Sequence, residues 1–271
     1  MPLAVCATPI GNLEDVTLRV LRELREADLV LCEDTRRTRI LLDRHGIAAH
    51  LASYHRHNEA ARREEALGRL ARGERLALVS DAGLPGVNDP GARLIAAALD
   101  AGHDVTVLPG PSAVETALVA SGLVSDAYEF IGYLPRRKAE RDTLARDLVG
   151  RTHSVVAFES PRRLPATLAV LADAMPARPA AVCRELTKRF EQIERGTLAD
   201  LATRFREAPR GEITLVLGPA RGEGRGTGEA TAEALAAVAE LVSQGLSRRR
   251  AAEVVASATG IAKNALYEAS L

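Results

Sequence analysis

Short apolar runs bounded by glycine, proline and aspartate alternate, along the first part of the chain, with stretches in which apolar residues recur every three to four positions. The runs at 3–7, 28–33, 75–79 and 104–108 predict strands, and the stretches at 13–27, 37–44, 58–72 and 92–101 predict helices. This βαβα alternation predicts a parallel-rich, doubly wound sheet. A helix at 112–121 follows, after which strands are expected at 129–133, 153–159, 180–185, 190–195 and 213–217, with helices at 140–149, 164–174 and 198–206. Residues 183–185 and 192–194 lie close enough in sequence for an antiparallel hairpin. The chain closes with helical patterns at 231–243, 247–258 and 262–269 around a turn at Gly260-Ile261.

The expected fold class is therefore α/β: one domain over residues 1–111, a second over 112–219, a linker at 220–228 and a helical appendage over 229–271. The linker contains Gly222-x-Gly224-x-Gly226 between a strand and a helix, as a Rossmann glycine loop does, but too little chain follows to supply the further strands of that fold.

Two loops follow predicted strands and carry the most chemistry. Ser80-Asp81-Ala82-Gly83-Leu84-Pro85-Gly86-Val87-Asn88-Asp89-Pro90-Gly91 combines glycines that let the backbone approach a small molecule, prolines that fix the loop, and Asp81 and Asp89 as acceptors. Leu108-Pro109-Gly110-Pro111-Ser112-Ala113 opens a helix at Ser112, a good N-cap residue. Both sit at carboxyl ends of strands, where open α/β sheets bind ligands; long βα connections built of turn residues are the alternative. Neither is G-x-G-x-x-G, and no P-loop motif occurs in the chain, so a usual dinucleotide or P-loop site is not indicated.

Charge narrows the reading. Lys+Arg 36 balance Asp+Glu 36 over 271 residues, so RNA binding would rest on local basic patches. Cys6, Cys32 and Cys183 stand singly in apolar stretches, as small core residues rather than disulfides, zinc ligands or a redox motif. The start, Met1-Pro2-Leu3-Ala4-Val5, shows no basic leader, and no apolar run is long enough to span a bilayer, so a soluble cytoplasmic protein is expected.

At Thr8-Pro9-Ile10-Gly11-Asn12-Leu13-Glu14-Asp15, Glu33-Asp34-Thr35-Arg36-Arg37-Thr38 and Ser53-Tyr54-His55-Arg56-His57-Asn58-Glu59 the chain resembles the tetrapyrrole methylase superfamily, in the branch acting on small-subunit ribosomal RNA. The likeness continues through the Ser80 loop, Pro109-Gly110-Pro111-Ser112-Ala113, Ser121-Gly122-Leu123, Gly132-Tyr133-Leu134-Pro135, Glu159-Ser160-Pro161-Arg162-Arg163, Glu185-Leu186-Thr187-Lys188 and Arg210-Gly211-Glu212. The resemblance implies transfer of the methyl of S-adenosylmethionine to the ribose 2′-hydroxyl of a cytidine in 16S rRNA of the small ribosomal subunit. It also implies a homodimer with the cofactor in a cleft between the two α/β domains. The cofactor-binding residues it suggests are Pro9, Asp81, Ala82, Gly83, Pro85, Ser112, Ala113, Phe158 and Leu186. A methylase of a tetrapyrrole precursor, or a non-enzymatic RNA-binding assembly protein, are the competing readings.

Methyl transfer from a sulfonium needs orientation above all, yet the hydroxyl proton must go somewhere. Glu33 and Lys188 are the candidate acceptors. For Glu33-Asp34 a helix N-cap with first-turn charge is the other reading, and for Lys188 a loop charge or a phosphate contact. Arg36, Arg37, Arg136, Lys138 and Arg141 form basic clusters able to meet RNA phosphates or simply solvate a face. With 3% aromatic residues, extensive base stacking is not expected. His55-x-His57 lacks a third ligand at recognisable spacing, so no metal is expected. Ser247-Arg248-Arg249-Arg250 opens a tail helix of helix-turn-helix outline that docks either on ribosomal RNA or on the protein's own body or a partner subunit.

Overall fold

The computed structural model describes residues 3–220, 231–259 and 261–271. In the first half, β1 (Leu3–Cys6), α1 (Leu18–Glu26), β2 (Leu29–Cys32), α2 (Thr35–Arg44), β3 (Leu51–Ser53), α3 (Glu59–Ala71), β4 (Leu76–Val79), α4 (Ala92–Asp100) and β5 (Val105–Leu108) alternate along the chain. The strands form one sheet in the order β3-β2-β4-β1-β5, every pairing parallel. β1, β2 and β4 are wholly buried, because helices cover both faces of a parallel sheet, and this is why their sequences read as unbroken apolar runs. Two apolar clusters, one containing Val20, Leu24 and Leu42 and the other Tyr54, Leu70 and Leu94, pack on the two faces.

β3 is an unexpected strand: three half-buried residues at the sheet edge are too few to carry a period. The helix expected over 13–27 begins instead at Leu18, after a 3₁₀ turn at Leu13–Asp15, because Thr17 caps it by accepting from the backbone N–H of Val20 at 3.2 Å.

α5 (Ala113–Ser121) leads to the second half: β6 (Tyr128–Tyr133), α6 (Lys138–Leu148), β7 (Ser154–Glu159), α7 (Leu164–Ala174), β8 (Pro179–Arg184), β9 (Gln192–Thr197), α8 (Leu198–Arg204) and β10 (Ile213–Leu217). These strands make a mixed sheet in the order β6-β7-β10-β8-β9. Only β6 and β7 pair in parallel; β8 and β9 form the expected antiparallel hairpin, with Cys183 opposite Ile193. β9 runs to Thr197, which closes a reciprocal capping box with Asp200 at the head of α8.

The tail folds as α9 (Ala232–Ser243), α10 (Arg248–Thr259) and α11 (Lys263–Ala269) around a small core of Ala234, Val238, Ala251, Ala252, Val255 and Leu266. The expected linker, including its glycine decoy, lies outside the described residues except Ala220, as does Gly260 of the expected turn. Among the described residues no helix is long and apolar enough to cross a membrane. Cys6, Cys32 and Cys183 are buried free thiols; burial pushes Cys6 and Cys183 up to about 12.

Candidate functional site

The chain leaves β1 towards β2 on one side of the first sheet and leaves β4 towards β5 on the other, so the adjacent carboxyl ends of β1 and β4 mark a topological switch point with a crevice beyond them. The two loops that follow are tied together there. Thr8 and Gly83 exchange backbone hydrogen bonds of 2.9 and 3.0 Å, and the Thr8 hydroxyl donates to the carbonyl of Ser80 at 3.0 Å. Gly83 holds φ +76°, a conformation costly for any residue with a Cβ. Asn88 adopts φ 62° in the same loop without that freedom, which marks the segment as held by its surroundings.

The second sheet meets this crevice at one edge. Register places Ile213 opposite both Glu159 and Arg184, and Tyr133 beside Phe158, so the ends of β6, β7 and β8 and the start of β10 share that edge. Between the sheets lies an apolar cluster of Ile10, Val114, Ala117, Leu118, Val156 and Leu186, with Ala82, Ala113, Phe130 and Phe158 half-buried against it. Ala82, Ala113, Phe158 and Leu186, four residues selected from remote parts of the sequence, thus converge on one apolar surface. Pro9, Gly83 and Pro85 are buried beside it in the two loops. Ser112 occupies the N-cap of α5, but its hydroxyl donates to Glu115 rather than capping the backbone.

A carboxylate group rims the crevice. Asp81 accepts from the backbone N–H of Asp34 at 3.0 Å and from Arg37 at 3.1 Å. Asp34 is the N-cap of α2, accepting from Arg36 at 2.8 Å, and that arginine holds its carboxyl down at about 2. Glu33 behaves differently: burial and then the Asp81 charge raise it, with Arg56, Arg37 and His55 opposing. Asp89 is pushed up to about 6 by burial and the nearby Glu33 charge. Its titration was not legible in the sequence, where Asp89 reads only as a loop acceptor. Across the cleft, partial desolvation and the charges of Glu212 and Asp89 raise the Tyr133 phenol, so acids from both sheets face the same opening.

Lys188 sits on the opposite wall. Its ammonium donates to Glu185 at 2.9 Å and Glu212 at 3.0 Å. Burial works against that charge, but the two hydrogen bonds outweigh it and raise the ammonium above its ordinary value. In this arrangement the two carboxylates favour the charged form of Lys188. The loop carrying it holds Glu185 at φ 52° and Thr187 at φ 64°, and Thr187 accepts from the backbone N–H of Asn12 at 3.0 Å. Gly11 is required at this junction, since a Cβ would stand 2.6 Å from both Thr187 and Lys188. A cavity of about 570 Å³ opens beside it, lined by Asn12, Glu14, Arg44, Thr187, Lys188 and Arg189.

The basic candidates divide by partner. Arg36 is exposed and paired with Asp34, and Arg37 spans to Asp81. Lys138 is paired with Asp142 at 2.9 Å, and Arg141 donates inward to the carbonyls of Pro135 at 3.4 Å and Arg136 at 2.7 Å. Arg136 is exposed, with no side-chain partner among the described residues. His55 and His57 lie past the end of β3 in a turn, not on a strand, with ring centroids 5.9 Å apart; among the described residues no group of three ligand side chains could hold a metal.

A sequence profile for the tetrapyrrole (corrin/porphyrin) methylases matches residues 2–202. The chain is 43% identical to ribosomal RNA small subunit methyltransferase I of Mesorhizobium japonicum, over 98% of this chain and 90% of that protein. It is 37% identical to the protein of the same name from Bacillus subtilis, over 98% and 93%. Among solved structures, the methyltransferase CobJ superposes with a TM-score of 0.63 at 23% identity, covering 81% of this chain and 95% of that one. Uroporphyrin-III C-methyl transferase from Thermus thermophilus, complexed with S-adenyl homocysteine, gives 0.56 at 20% identity, covering 80% and 97%. At these identities the structural likeness is one of fold.

Proposed function

The chain belongs to the ribosomal RNA small subunit methyltransferase I family of tetrapyrrole methylases, and we propose that it transfers the methyl group of S-adenosylmethionine to the ribose 2′-hydroxyl of a cytidine in 16S rRNA, acting as a homodimer on the small ribosomal subunit. The observation carrying the reading is the convergence of Ala82, Ala113, Phe158 and Leu186 on one apolar surface beside the Asp81 carboxylate. Small side chains, a glycine loop and one fixed acceptor suit a ligand with aliphatic carbons around a sulfonium and ribose hydroxyls to be bound. Bound there, S-adenosylmethionine supplies an activated methyl on a good leaving group.

The chain's own residues then have to orient the nucleotide and accept its proton. Pro9, Gly83, Pro85 and Ser112 shape the loops around the apolar surface. Glu33 is the proposed proton acceptor; burial and the Asp81 charge raise it, and its own charge adds to the burial that raises the nearby Asp89. Lys188, held charged, serves as a cation towards the RNA. Arg136, without a side-chain partner among the described residues, offers a phosphate contact, while Arg36, Arg37, Lys138 and Arg141 are engaged within the protein.

The test is tritium transfer from labelled S-adenosylmethionine to 30S subunits, deproteinised 16S rRNA and uroporphyrinogen III, followed by primer-extension mapping of 2′-O-methylation. Label on the subunit, stopping extension at one cytidine, is expected. Label on the tetrapyrrole, or on a base rather than a ribose, overturns the proposal.

A further inference from the structure

We infer that residues 133–137 form the substrate-engaging element of the cleft, with Tyr133 the surface on which the target cytosine stacks; this rests on the rRNA methyltransferase reading above. The first ground is how Tyr133 is aimed. On β6 the register advances from Phe130 to Tyr133 while its partner β7 advances only from Val156 to Phe158, an extra residue that bulges a parallel pair. Bulges are uncommon between parallel strands and occur where a side chain is re-aimed next to a site. Gly132 makes the bulge at φ +70°, and a Cβ there would stand 3.0 Å from the side-chain oxygen of Asn88. The bulge therefore nests against the Ser80–Gly91 loop of the first sheet and turns Tyr133 to the cleft mouth.

The second ground is what the ring offers. Phe130 packs on Phe158 at 4.9 Å between centroids and Tyr133 on Phe158 at 5.4 Å, both edge to face, so an aromatic series runs from the apolar cluster to the opening. Tyr133 ends it 63% exposed, leaving ring surface for a planar ligand. With four Tyr, four Phe and no Trp in the chain, Tyr133 is one of few side chains able to offer a ring face to a planar ligand beside the carboxylates. Phe190 is comparably exposed at 65%, but Arg189 already lies over its ring at 5.5 Å.

The third ground is rigidity. Three successive carbonyls after Tyr133 are held by two arginines: Arg163 donates to Leu134 at 3.0 Å, and Arg141 to Pro135 and Arg136. Arg163 is itself fixed by the buried Glu159 at 2.5 Å. The segment is thus preorganised, with the Arg136 and Arg137 side chains exposed beyond it for phosphates flanking an extruded cytidine.

The experiment measures steady-state methylation of 30S subunits, with cofactor affinity by calorimetry and melting temperature as controls. Tyr133→Ala should raise KM for 30S subunits about tenfold, leaving cofactor affinity and melting temperature at parental values, and Tyr133→Phe should recover most of that loss because it keeps the ring. Phe190→Ala should leave KM alone. Arg141→Met, which releases two carbonyls, should raise KM without changing its salt dependence. An unchanged KM in Tyr133→Ala, no recovery in Tyr133→Phe, or the tenfold loss appearing in Phe190→Ala overturns the stacking role. A flattened salt dependence in Arg141→Met overturns its role as a brace. A parental enzyme that leaves 30S subunits unlabelled while labelling another substrate overturns the functional reading and this inference with it.

Discussion

Two sheets of five strands face each other across the cleft, and they furnish it by different means. The parallel sheet sends the carboxyl ends of all its strands to one edge, so backbone alone can build a wall: Thr8 and Gly83 bridge two loops, and glycines at positive φ bring main chain to the surface. In the mixed sheet β6, β7 and β8 run one way and β10 and β9 the other, and fewer carboxyl ends reach the cleft. There the wall is held by side chains, with Glu159, Arg163 and Thr167 in one network and Glu185, Lys188 and Glu212 in another. One side of the site is thus set by conformation and the other by charge, and the two should fail differently.

The largest effect is expected where charge is buried. Glu159 is 2% exposed and accepts from Arg163, Thr167 at 2.6 Å and the backbone of Ser160 at 2.6 Å. Removing it strands the Arg163 guanidinium against the core, and Glu159→Ala should cost about 3–5 kcal/mol in urea unfolding. On the parallel side, Arg37→Ala removes an ion pair whose arginine is largely exposed, and should cost under about 1 kcal/mol. Equal losses in the two variants would erase the distinction between the walls.

Conformation is tested next at Gly83. A Cβ there meets nothing closer than 3.8 Å, so the penalty comes from φ +76° and not from a clash. A β-branched residue in that region costs roughly 1–2 kcal/mol, and Gly83→Val should lose on the order of tenfold in cofactor affinity while staying folded. Calorimetry showing parental affinity would remove the loop from the site.

These contrasts also explain what the sequence made legible. Strands buried on both faces read as apolar runs, and loops that need glycine and proline announce themselves, so the first sheet and its loops could be placed from the residues. β3 could not, because three half-buried residues carry no period. The partners of Lys188 and Arg141 were equally hidden. Nothing in the sequence around Arg136 and Arg141 distinguishes the side chain that folds back on its own loop from the one left in solvent, since the difference arises from tertiary packing. In the sequence Tyr133 reads as the end of a strand within Gly132-Tyr133-Leu134-Pro135, and only the register slip beside Gly132 shows where it is aimed.

A pH dependence separates the rim of the parallel wall from the rest. Asp89 is raised to about 6 in the folded chain, above its unfolded value of about 3.9. Its proton is bound more tightly when folded, so its contribution to stability is full below the unfolded value and is lost as pH rises through about 6. Asp89→Asn should therefore be more stable than the parent by about 1–2 kcal/mol at neutral pH and gain nothing near pH 4. Urea midpoints showing the same difference at both pH values would mean the aspartate is not held in a destabilising environment.

The smallest effect sharpens the charged wall itself, because it asks which cations are free. Each phosphate contact made by a lysine or arginine adds about one unit to the slope of log affinity against log salt. Arg136 is exposed without a side-chain partner among the described residues, whereas Lys138 is tied to Asp142 at 2.9 and 3.0 Å across one helical turn. Arg136→Ala should therefore lower the slope for 30S binding by about one and weaken binding only severalfold at moderate salt, while Lys138→Ala leaves the slope as it was. If both variants lower it equally, the Lys138–Asp142 pair yields to RNA, and the mixed sheet's wall is less fixed than its hydrogen bonds imply. If neither does, the backbone is bound elsewhere, and the exposed arginines of residues 136–137 only solvate the rim.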